Sequence, residues 1–253
     1  MTTNYIKLIN NLDALKLYTI KDNLSQYIDM INSGTKTTVD ALYELTEKEM
    51  NLKEQRAIHA CVHTAGFPYE KTFDEFDFGF QPSINKREIE DYMTLRFMES
   101  NENIIFVGSS GTGKTHLATA IGVEAAKHRK SVYFISCQDL MIQLRKAEHE
   151  NRLDQRLKSF TRYKLLIIDE IGYINMDKES ANLFFQLVSR RYEQKSTIIT
   201  TNKSLSKWGE IFGEPVIANA ILDRLLHHSH VVSIVGPSYR LKDVLDALDG
   251  LKK

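Results

Sequence analysis

The segment Gly108 to Thr115 constrains the fold more than any other part of this chain of 253 residues. Its sequence, Gly-Ser-Ser-Gly-Thr-Gly-Lys-Thr, fits the phosphate-binding pattern Gly-x4-Gly-Lys-[Ser/Thr] at every specified position. An apolar run precedes it at residues 103–107 and a helical pattern follows at 116–127, which is the strand, loop and helix context of a P-loop. A glycine-rich turn that binds nothing would not need that context. The sequence therefore predicts a nucleoside triphosphate site here.

The residue types of this loop suit phosphate binding. Glycines let the backbone curl until several N–H groups point at phosphate oxygens, and the N-terminus of the following helix adds a favourable field for an anion. Lys114 would reach the β and γ phosphates of ATP, and Thr115 would offer its hydroxyl to Mg²⁺. We predict nucleotide contacts from Gly108, Ser109, Ser110, Gly111, Thr112, Gly113, Lys114, Thr115 and His116.

Short apolar runs alternate with helical patterns through the rest of the chain. The runs lie at residues 104–107, 132–136, 165–169, 197–201 and, less clearly, 231–235. Such runs can also be buried helix segments, but their length and the polar breaks around them favour strands. The alternation predicts an α/β fold with a parallel five-stranded sheet flanked by helices.

Two carboxylates, Asp169 and Glu170, end the third of these runs. A strand end followed by a solvated turn would give the same pattern. However, parallel sheets bind ligands at the carboxyl ends of their strands, which is also where the P-loop lies. We therefore expect Asp169 to hold Mg²⁺, and Glu170 to orient and deprotonate the water that attacks the γ phosphate.

Three polar side chains further on are weaker candidates. Asn202 follows the next strand and could hold the attacking water, although asparagine is also an ordinary helix cap. Arg224 lies within an apolar helix, where an ion pair with Asp223 is the simpler explanation. Its planar, always charged group would nevertheless suit a phosphate. Arg240, at the start of the last helical pattern, is a second phosphate candidate.

The first hundred residues are predicted to be helical. Apolar spacing over residues 12–31 indicates an amphipathic helix or a helix pair. Thr38 is expected to cap a short helix ending at Leu45, and Thr46 with Glu49 forms the pattern of a capping box that opens a longer one. Their apolar faces could form a private core or a surface for partner subunits.

The acidic and aromatic stretch after Pro68 lacks a helical period, which indicates an extended linker. Its phenylalanines would fill a hydrophobic groove, although one of them could pack near an adenine. A further helix is expected over residues 86–98. The predicted domains are a helical module for oligomerisation or partner binding (1–66), the linker (67–85) and the nucleotide-binding domain (86–253).

Charge is balanced overall, with 33 basic and 33 acidic residues, but residues 101–253 carry 22 basic and 17 acidic ones. A polyanion should therefore meet the C-terminal part. The two cysteines, Cys61 and Cys137, have no metal-ligand spacing and indicate no disulfide framework. Without a signal-peptide pattern or a membrane-length apolar run, the expectation is a cytoplasmic protein with no membrane partner.

In order along the chain, these features resemble those of the AAA+ ATPases. The resemblance makes the P-loop a Walker A motif and the strand that ends in Asp169 and Glu170 a Walker B motif. It gives Asn202 the sensor 1 role, Arg240 the sensor 2 role, and Arg224 the role of an arginine finger that acts on a neighbouring subunit.

A closer resemblance, over nearly the whole chain, is to the IstB family of helper ATPases from two-component bacterial transposons, which are related to the DnaC helicase loaders. Trp208-Gly209-Glu210 and the Leu-Leu-His-His stretch favour the helper over the loader. The loop departs from the family in having Gly-Ser-Ser-Gly where the helpers more often have Gly-Pro-Pro-Gly, which leaves its geometry feasible. The stretches that carry the resemblance are Phe67-Pro68-Tyr69, Gly111 to Ala118, Asp169 to Tyr173, Phe185 to Tyr192, Trp208-Gly209-Glu210, and Ile221 to His228 with Ser238-Tyr239-Arg240.

The resemblance implies an ATPase that forms an ATP- and DNA-dependent homo-oligomer on double-stranded DNA and deforms the DNA. It would recruit or activate a cognate transposase at the target site in DNA transposition, and hydrolysis of ATP to ADP and phosphate would control assembly. Two alternatives stay open. A helicase loader would bind a replicative helicase and prefer single strands. A P-loop kinase would transfer phosphate to a small molecule, which the sensor-type residues argue against.

Residues 145–164 carry seven basic and three acidic side chains before the Walker B strand. In related initiator and loader ATPases this region carries a helical element that faces DNA. Charge alone favours a solvated helical face. The resemblance instead favours contacts to phosphates with little sequence preference. The predicted DNA contacts are Arg145, Lys146, Arg152, Arg156, Lys158 and Arg162.

Overall fold

The computed structural model describes residues 3–242. Contacts divide the chain into two units, Met1–Ala60 and Cys61–Lys253. No helix in the described range is long and apolar enough to span a membrane. The helices are α1 Thr3–Ala14, α2 Tyr18–Asn32, α3 Thr38–Thr64, α4 Lys86–Met93, α5 Lys114–Lys127, α6 Cys137–His149, α7 Leu153–Arg162, α8 Lys178–Arg191, α9 Trp208–Phe212 and α10 Pro215–Leu226, and the strands are β1 Asn103–Gly108, β2 Val132–Ser136, β3 Leu165–Ile171, β4 Ser196–Thr201 and β5 Ser229–Ile234.

The N-terminal unit has a small core of its own. The pattern at residues 12–31 folds as a helix pair, the end of α1 followed by α2. The unit also leaves apolar side chains exposed on α3, including Val39 at 74% and Met50 at 64%. The buried hydrophobic residues of this core are Leu12, Leu24, Tyr27, Ala41 and Leu45.

The helix break predicted at Thr46 is wrong, because α3 runs uninterrupted through this position. The Thr46 hydroxyl donates to the Leu42 carbonyl within the helix at 2.9 Å. The buried Glu49 carboxylate caps a different helix, accepting from the N–H groups of Thr19 and Ile20 at 2.7 and 3.1 Å. The capping box predicted for Thr46 and Glu49 is therefore not formed. Glu49 caps α2 instead, because the N–H groups in the first turn of that helix need an acceptor.

The five strands form one parallel sheet in the order β2-β3-β4-β1-β5. The predicted strands and their parallel arrangement are confirmed. Because β4 lies between β1 and β3, the loop after β4 is flanked by the P-loop after β1 and by the end of β3. Asp169, Asn202 and the P-loop thus come to the same edge of the sheet.

Alternating strand residues point to two opposite cores. Ile105, Ile168 and Ile199 pack against α6 to α10, while Ile104 and Ile167 pack against α4 and α5. The period of two along a strand produces this division, and helices cover both faces of the sheet, as parallel sheets require.

Residues 67–85 contain no helix or strand and pack on the second of these cores through Phe67, Phe73, Phe76 and Phe78. The phenylalanines fill a hydrophobic surface, as predicted. The helix expected over 86–98 is shorter: α4 ends at Met93, and Leu95 has a left-handed backbone with φ of 63° before the 3-10 turn Arg96–Met98. We call residues 67–85 the strap.

Candidate nucleotide-binding site

The P-loop connects β1 to α5 as the sequence predicts. Gly113 precedes α5 with φ of 96°, a left-handed value that favours glycine. A Cβ at this position would lie 2.5 Å from the Phe76 ring of the strap. Glycine is therefore required both by the turn and by the close approach of the strap.

Lys114 lies at the first position of α5, and its ammonium donates to the Ser109 carbonyl at 2.6 Å. Its side chain is buried, and this burial lowers its pKa, opposed by the charge of Asp169. The lysine is thus held across the loop by a backbone carbonyl, a contact that a phosphate oxygen can replace.

Thr115 and Asp169 meet directly at the edge of the sheet. The threonine hydroxyl lies 3.0 Å from Asp169 Oδ1 and 3.2 Å from Oδ2. On the other side of the carboxylate, the Thr200 hydroxyl donates to Oδ1 at 2.5 Å. Burial raises the pKa of Asp169, while these two hydroxyl contacts and Lys114 oppose the rise. The cluster presents oxygen atoms only, which suits a hard cation such as Mg²⁺.

Glu170 occupies an irregularity that the sequence did not predict. The register of β3 with β4 shifts between Ile168 and Ile171, and Glu170 has φ of 65°. Its N–H donates to the Thr200 hydroxyl at 2.9 Å. Residues 110–116 of the P-loop and of the start of α5 line a cleft. The bulge turns the exposed Glu170 into this cleft, whereas the preceding Asp169 stays buried. Thr200 therefore supports both carboxylate residues.

Asn202 lines the same cleft, one residue beyond β4. Its Oδ1 atom is buried and has no hydrogen-bond partner within residues 3–242. A buried acceptor without a partner costs free energy, so this atom is suited to accept from a bound molecule.

Arg240 also lines the cleft, and its charge contributes to lowering the pKa of Lys114. In the described part of the chain it belongs to the 3-10 turn Tyr239–Leu241, and the helix expected after it lies outside the described residues. This turn is attached to the P-loop, because the Tyr239 N–H donates to the Gly111 carbonyl at 2.8 Å.

The strap supplies a wall of the cleft that the sequence did not assign to the site. His116 of α5 contacts the Thr72 carbonyl through Nε2 at 2.8 Å and packs edge-on against Phe76. Burial lowers the pKa of His116, which keeps the imidazole neutral at pH 7. Strap residues lining the cleft are Tyr69, Lys71, Glu75, Phe76, Asp77 and Gln81.

Arg224 does not line this cleft. Its guanidinium lies 4.7 Å from the centre of the Phe185 ring and donates to the Ala220 carbonyl at 3.1 Å. It makes no ion pair with Asp223 or any other residue in the described range. Within one chain, Arg224 is therefore separate from the groups that surround the P-loop.

The basic segment, residues 145–164, contains the end of α6, the connection after it and all of α7. Lys146, Arg152 and Arg156 line one groove there. Several of its cations have partners inside the chain: Arg145 binds Asp177 and Ser180, Arg152 binds Glu150, Arg156 binds Gln143 and Lys158 binds Asp154. Lys146 and Arg162 are exposed and make no ion pair in the described part of the chain. Among the six predicted DNA contacts, these two have the most charge available for an outside partner.

Comparison with protein families supports the nucleotide site. A family model described as IstB-like ATP binding protein matches residues 10–247. A protein of insertion sequence IS232 from Bacillus thuringiensis subsp. berliner, named for ATP binding, is 54% identical over 96% of this chain and 97% of its own length. A corresponding protein of IS21 from Pseudomonas aeruginosa is 46% identical over 78% and 74%.

Among solved structures, the chain resembles the DnaC helicase loader with a TM-score of 0.55 and 24% identity, over 66% of this chain and 98% of that one. It also resembles AMPPCP-bound DnaA from Aquifex aeolicus with a TM-score of 0.57 and 20% identity, over 74% and 57%. These likenesses show that the fold is that of the AAA+ P-loop proteins.

Proposed function

The chain belongs to the family of IstB-like ATP binding proteins, and from this premise we propose that it is an ATP-dependent regulator of DNA transposition. It hydrolyses ATP to ADP and phosphate, assembles on double-stranded DNA, deforms the DNA and recruits or activates a cognate transposase there. The observation that carries the ATPase part is the meeting of Lys114, Thr115, Asp169, Glu170 and Asn202 at one edge of the sheet. The insertion-sequence names of the relatives support the transposition part.

Each side chain of the site has a role in this proposal. Lys114 exchanges its contact with the Ser109 carbonyl for the β and γ phosphates. Thr115 and Asp169 would hold Mg²⁺, which neutralises developing charge on the phosphates when it is bound. Glu170 accepts one proton from the attacking water, and the unpartnered Oδ1 of Asn202 accepts a hydrogen bond from the O–H that remains, which holds the water in line.

The two arginines act on the same phosphate from different chains. Arg240 contacts the γ phosphate within its own subunit, because it already lines the cleft. Arg224 lies away from that cleft, and we propose that it completes the site of a neighbouring subunit. The site is then whole only in an oligomer, so hydrolysis depends on assembly.

The remaining parts of the proposal concern the domains and the DNA. We propose that residues 1–66 bind a partner or a neighbouring subunit, that 67–85 connect them to the ATPase domain, and that 86–253 form that domain. Duplex DNA would contact the basic segment of α6 and α7, with Lys146 and Arg162 carrying the greatest share.

A transposition assay with purified components tests the proposal. The protein, ATP and duplex DNA should form oligomers visible by electron microscopy, and they should stimulate a cognate transposase. A helicase loader would instead prefer single strands and co-purify with a replicative helicase, with no effect on transposition. Phosphate transferred to an acceptor other than water would favour a kinase.

A further inference from the structure

Glu193, His227 and His228 form an exposed cluster at the edge of the sheet opposite the nucleotide. Glu193 lies in the turn between α8 and β4, and the two histidines connect α10 to β5. None of them takes part in the nucleotide site described above. Imidazole nitrogens with a carboxylate oxygen are the preferred ligands of zinc and related divalent transition metals.

The spacing of the ligand atoms fits a single ion. Glu193 Oε1 lies 3.3 Å from His228 Nε2 and 3.7 Å from His227 Nδ1, and one ligand atom from each residue lies within 4.8 Å of the others. Two ligands of a tetrahedral zinc ion, each about 2.0–2.1 Å from the metal, are about 3.3 Å apart. To bind one ion, the ligand nitrogens of His227 and His228 need to move only slightly closer to each other.

The backbone around these side chains is held in place. The Glu193 carbonyl accepts from the Asn101 side chain at 3.1 Å, and the His228 carbonyl accepts from the Asn103 N–H of β1 at 2.8 Å. Both ends of the cluster are thus tied to the residues that begin β1. Ligands on a fixed backbone lose less conformational entropy when they bind a metal.

One hydrogen bond competes with a metal. The Tyr192 hydroxyl lies 2.6 Å from His227 Nδ1, so an ion bound to that nitrogen replaces this contact. The hydroxyl group can rotate to donate to Glu193 or to water instead.

We infer that Glu193, His227 and His228 form a binding site for a divalent transition metal of the zinc type. The ion joins the turn after α8 to the end of α10, three residues beyond Arg224. Two histidines and one carboxylate leave a coordination position for water or for an outside ligand. The site is independent of the ATPase activity proposed above.

Calorimetric titration of the tag-free protein with ZnCl2, in saturating ADP and Mg²⁺ to occupy the nucleotide site, tests this inference. We expect one zinc ion per chain and a rise of Tm with zinc, because an ion bound only to the folded state stabilises it. His227→Ala/His228→Ala should lose both effects. Glu193→Gln, a more conservative change, should also lose them.

Two other histidine–carboxylate pairs supply matched controls, since each lacks a third ligand in the described part of the chain. His230 lies 2.8 Å from Glu102 and His128 lies 3.3 Å from Glu124. His230→Ala and His128→Ala should bind zinc like the unchanged protein. Melting without zinc shows whether each variant is folded. The inference is overturned if the unchanged protein takes up no zinc, or if folded Glu193→Gln binds it with unchanged affinity.

Discussion

Lys114 is held by a neutral backbone carbonyl that ATP would replace with charged phosphate oxygens. Because hydrogen bonds between charged groups contribute about 1.5–3 kcal/mol, Lys114→Ala should weaken ATP binding by roughly ten- to a hundredfold. Fluorescence titration with a labelled ATP analogue measures this. Lys127→Ala, at the other end of α5, is the control and should bind ATP normally. Equal affinity in the two variants would contradict the role of Lys114.

Glu170 has a different task, because it lines the cleft without holding the phosphate loop. Glu170→Gln keeps the shape of the side chain but removes the proposed base, and a general base contributes on the order of 10²–10⁴ to a rate. We expect normal ATP binding, slow hydrolysis and oligomers that persist on DNA. Phosphate release and the lifetime of the DNA complex measure these effects. Hydrolysis at the original rate would place the base elsewhere.

Thr200 is predicted to matter because of two contacts, one to Asp169 and one to the N–H of Glu170. Thr200→Val leaves the buried Asp169 carboxylate and the Glu170 N–H without this partner, which costs about 1–3 kcal/mol of unfolding free energy. It should also lower the hydrolysis rate more than the ATP affinity, since it frees the bulge that aims Glu170. Urea unfolding and steady-state kinetics test both effects.

Thr119→Val is the matched control for Thr200. The Thr119 hydroxyl is also buried, but it has no hydrogen-bond partner among the described residues. Its removal should therefore leave hydrolysis unchanged and not lower stability. If both valine variants behaved alike, the contacts of Thr200 would have no special role.

Helices α6 and α7 carry the proposed DNA contacts, but their cations are not equivalent. Lys158 is paired with Asp154 at 2.8 Å, whereas Lys146 and Arg162 make no ion pair in residues 3–242. Lys146→Ala/Arg162→Ala should therefore lower duplex affinity more than Lys158→Ala. Each lost phosphate contact should reduce the slope of log affinity against log salt by about 0.9. Fluorescence anisotropy at several salt concentrations measures this slope. If the Lys146→Ala/Arg162→Ala variant and the unchanged protein gave the same slope, the segment would be a solvated helical face that does not contact DNA.

The P-loop and the five strands were predictable because each depends on local signals. A glycine-rich turn between an apolar run and a helical period predicts its own geometry. The backbone of Glu170 could not be predicted in this way, because no local sequence pattern indicates that this glutamate has a φ of 65°. That backbone value depends on Thr200 of the neighbouring strand, 30 residues away along the chain. Glu49 is a similar case, because its partner helix lies 29 and 30 residues earlier.

At the scale of the whole molecule, the strap and the segment around Arg240 enclose the nucleotide cleft through contacts between distant parts of the chain. The Gln81 amide donates to the Pro237 carbonyl at 2.8 Å, and Lys242 contacts Asp77 at 2.6 Å. Aromatic stretches without periodicity predict packing but not the place of packing. The contribution of the strap to the site was therefore visible only in the structure.

The role proposed for Arg224 requires more than one copy of the chain. If it acts on a neighbour, neither Arg224→Ala nor Glu170→Gln assemblies should hydrolyse ATP, but a mixture should. In the mixture, an Arg224→Ala subunit keeps its base and receives the arginine of an adjacent Glu170→Gln subunit. An arginine supplied by a neighbour contributes on the order of 10³–10⁵ to the rate, so partial recovery should be well above background.

The control for this mixing experiment replaces the Glu170→Gln partner with a chain that carries both Glu170→Gln and Arg224→Ala. This partner still binds ATP and enters the assembly, but it offers no arginine, so hydrolysis should stay at background. Recovery with the doubly substituted chain would show that assembly alone restores the rate. Failure of both mixtures would count against action of Arg224 on a neighbouring subunit.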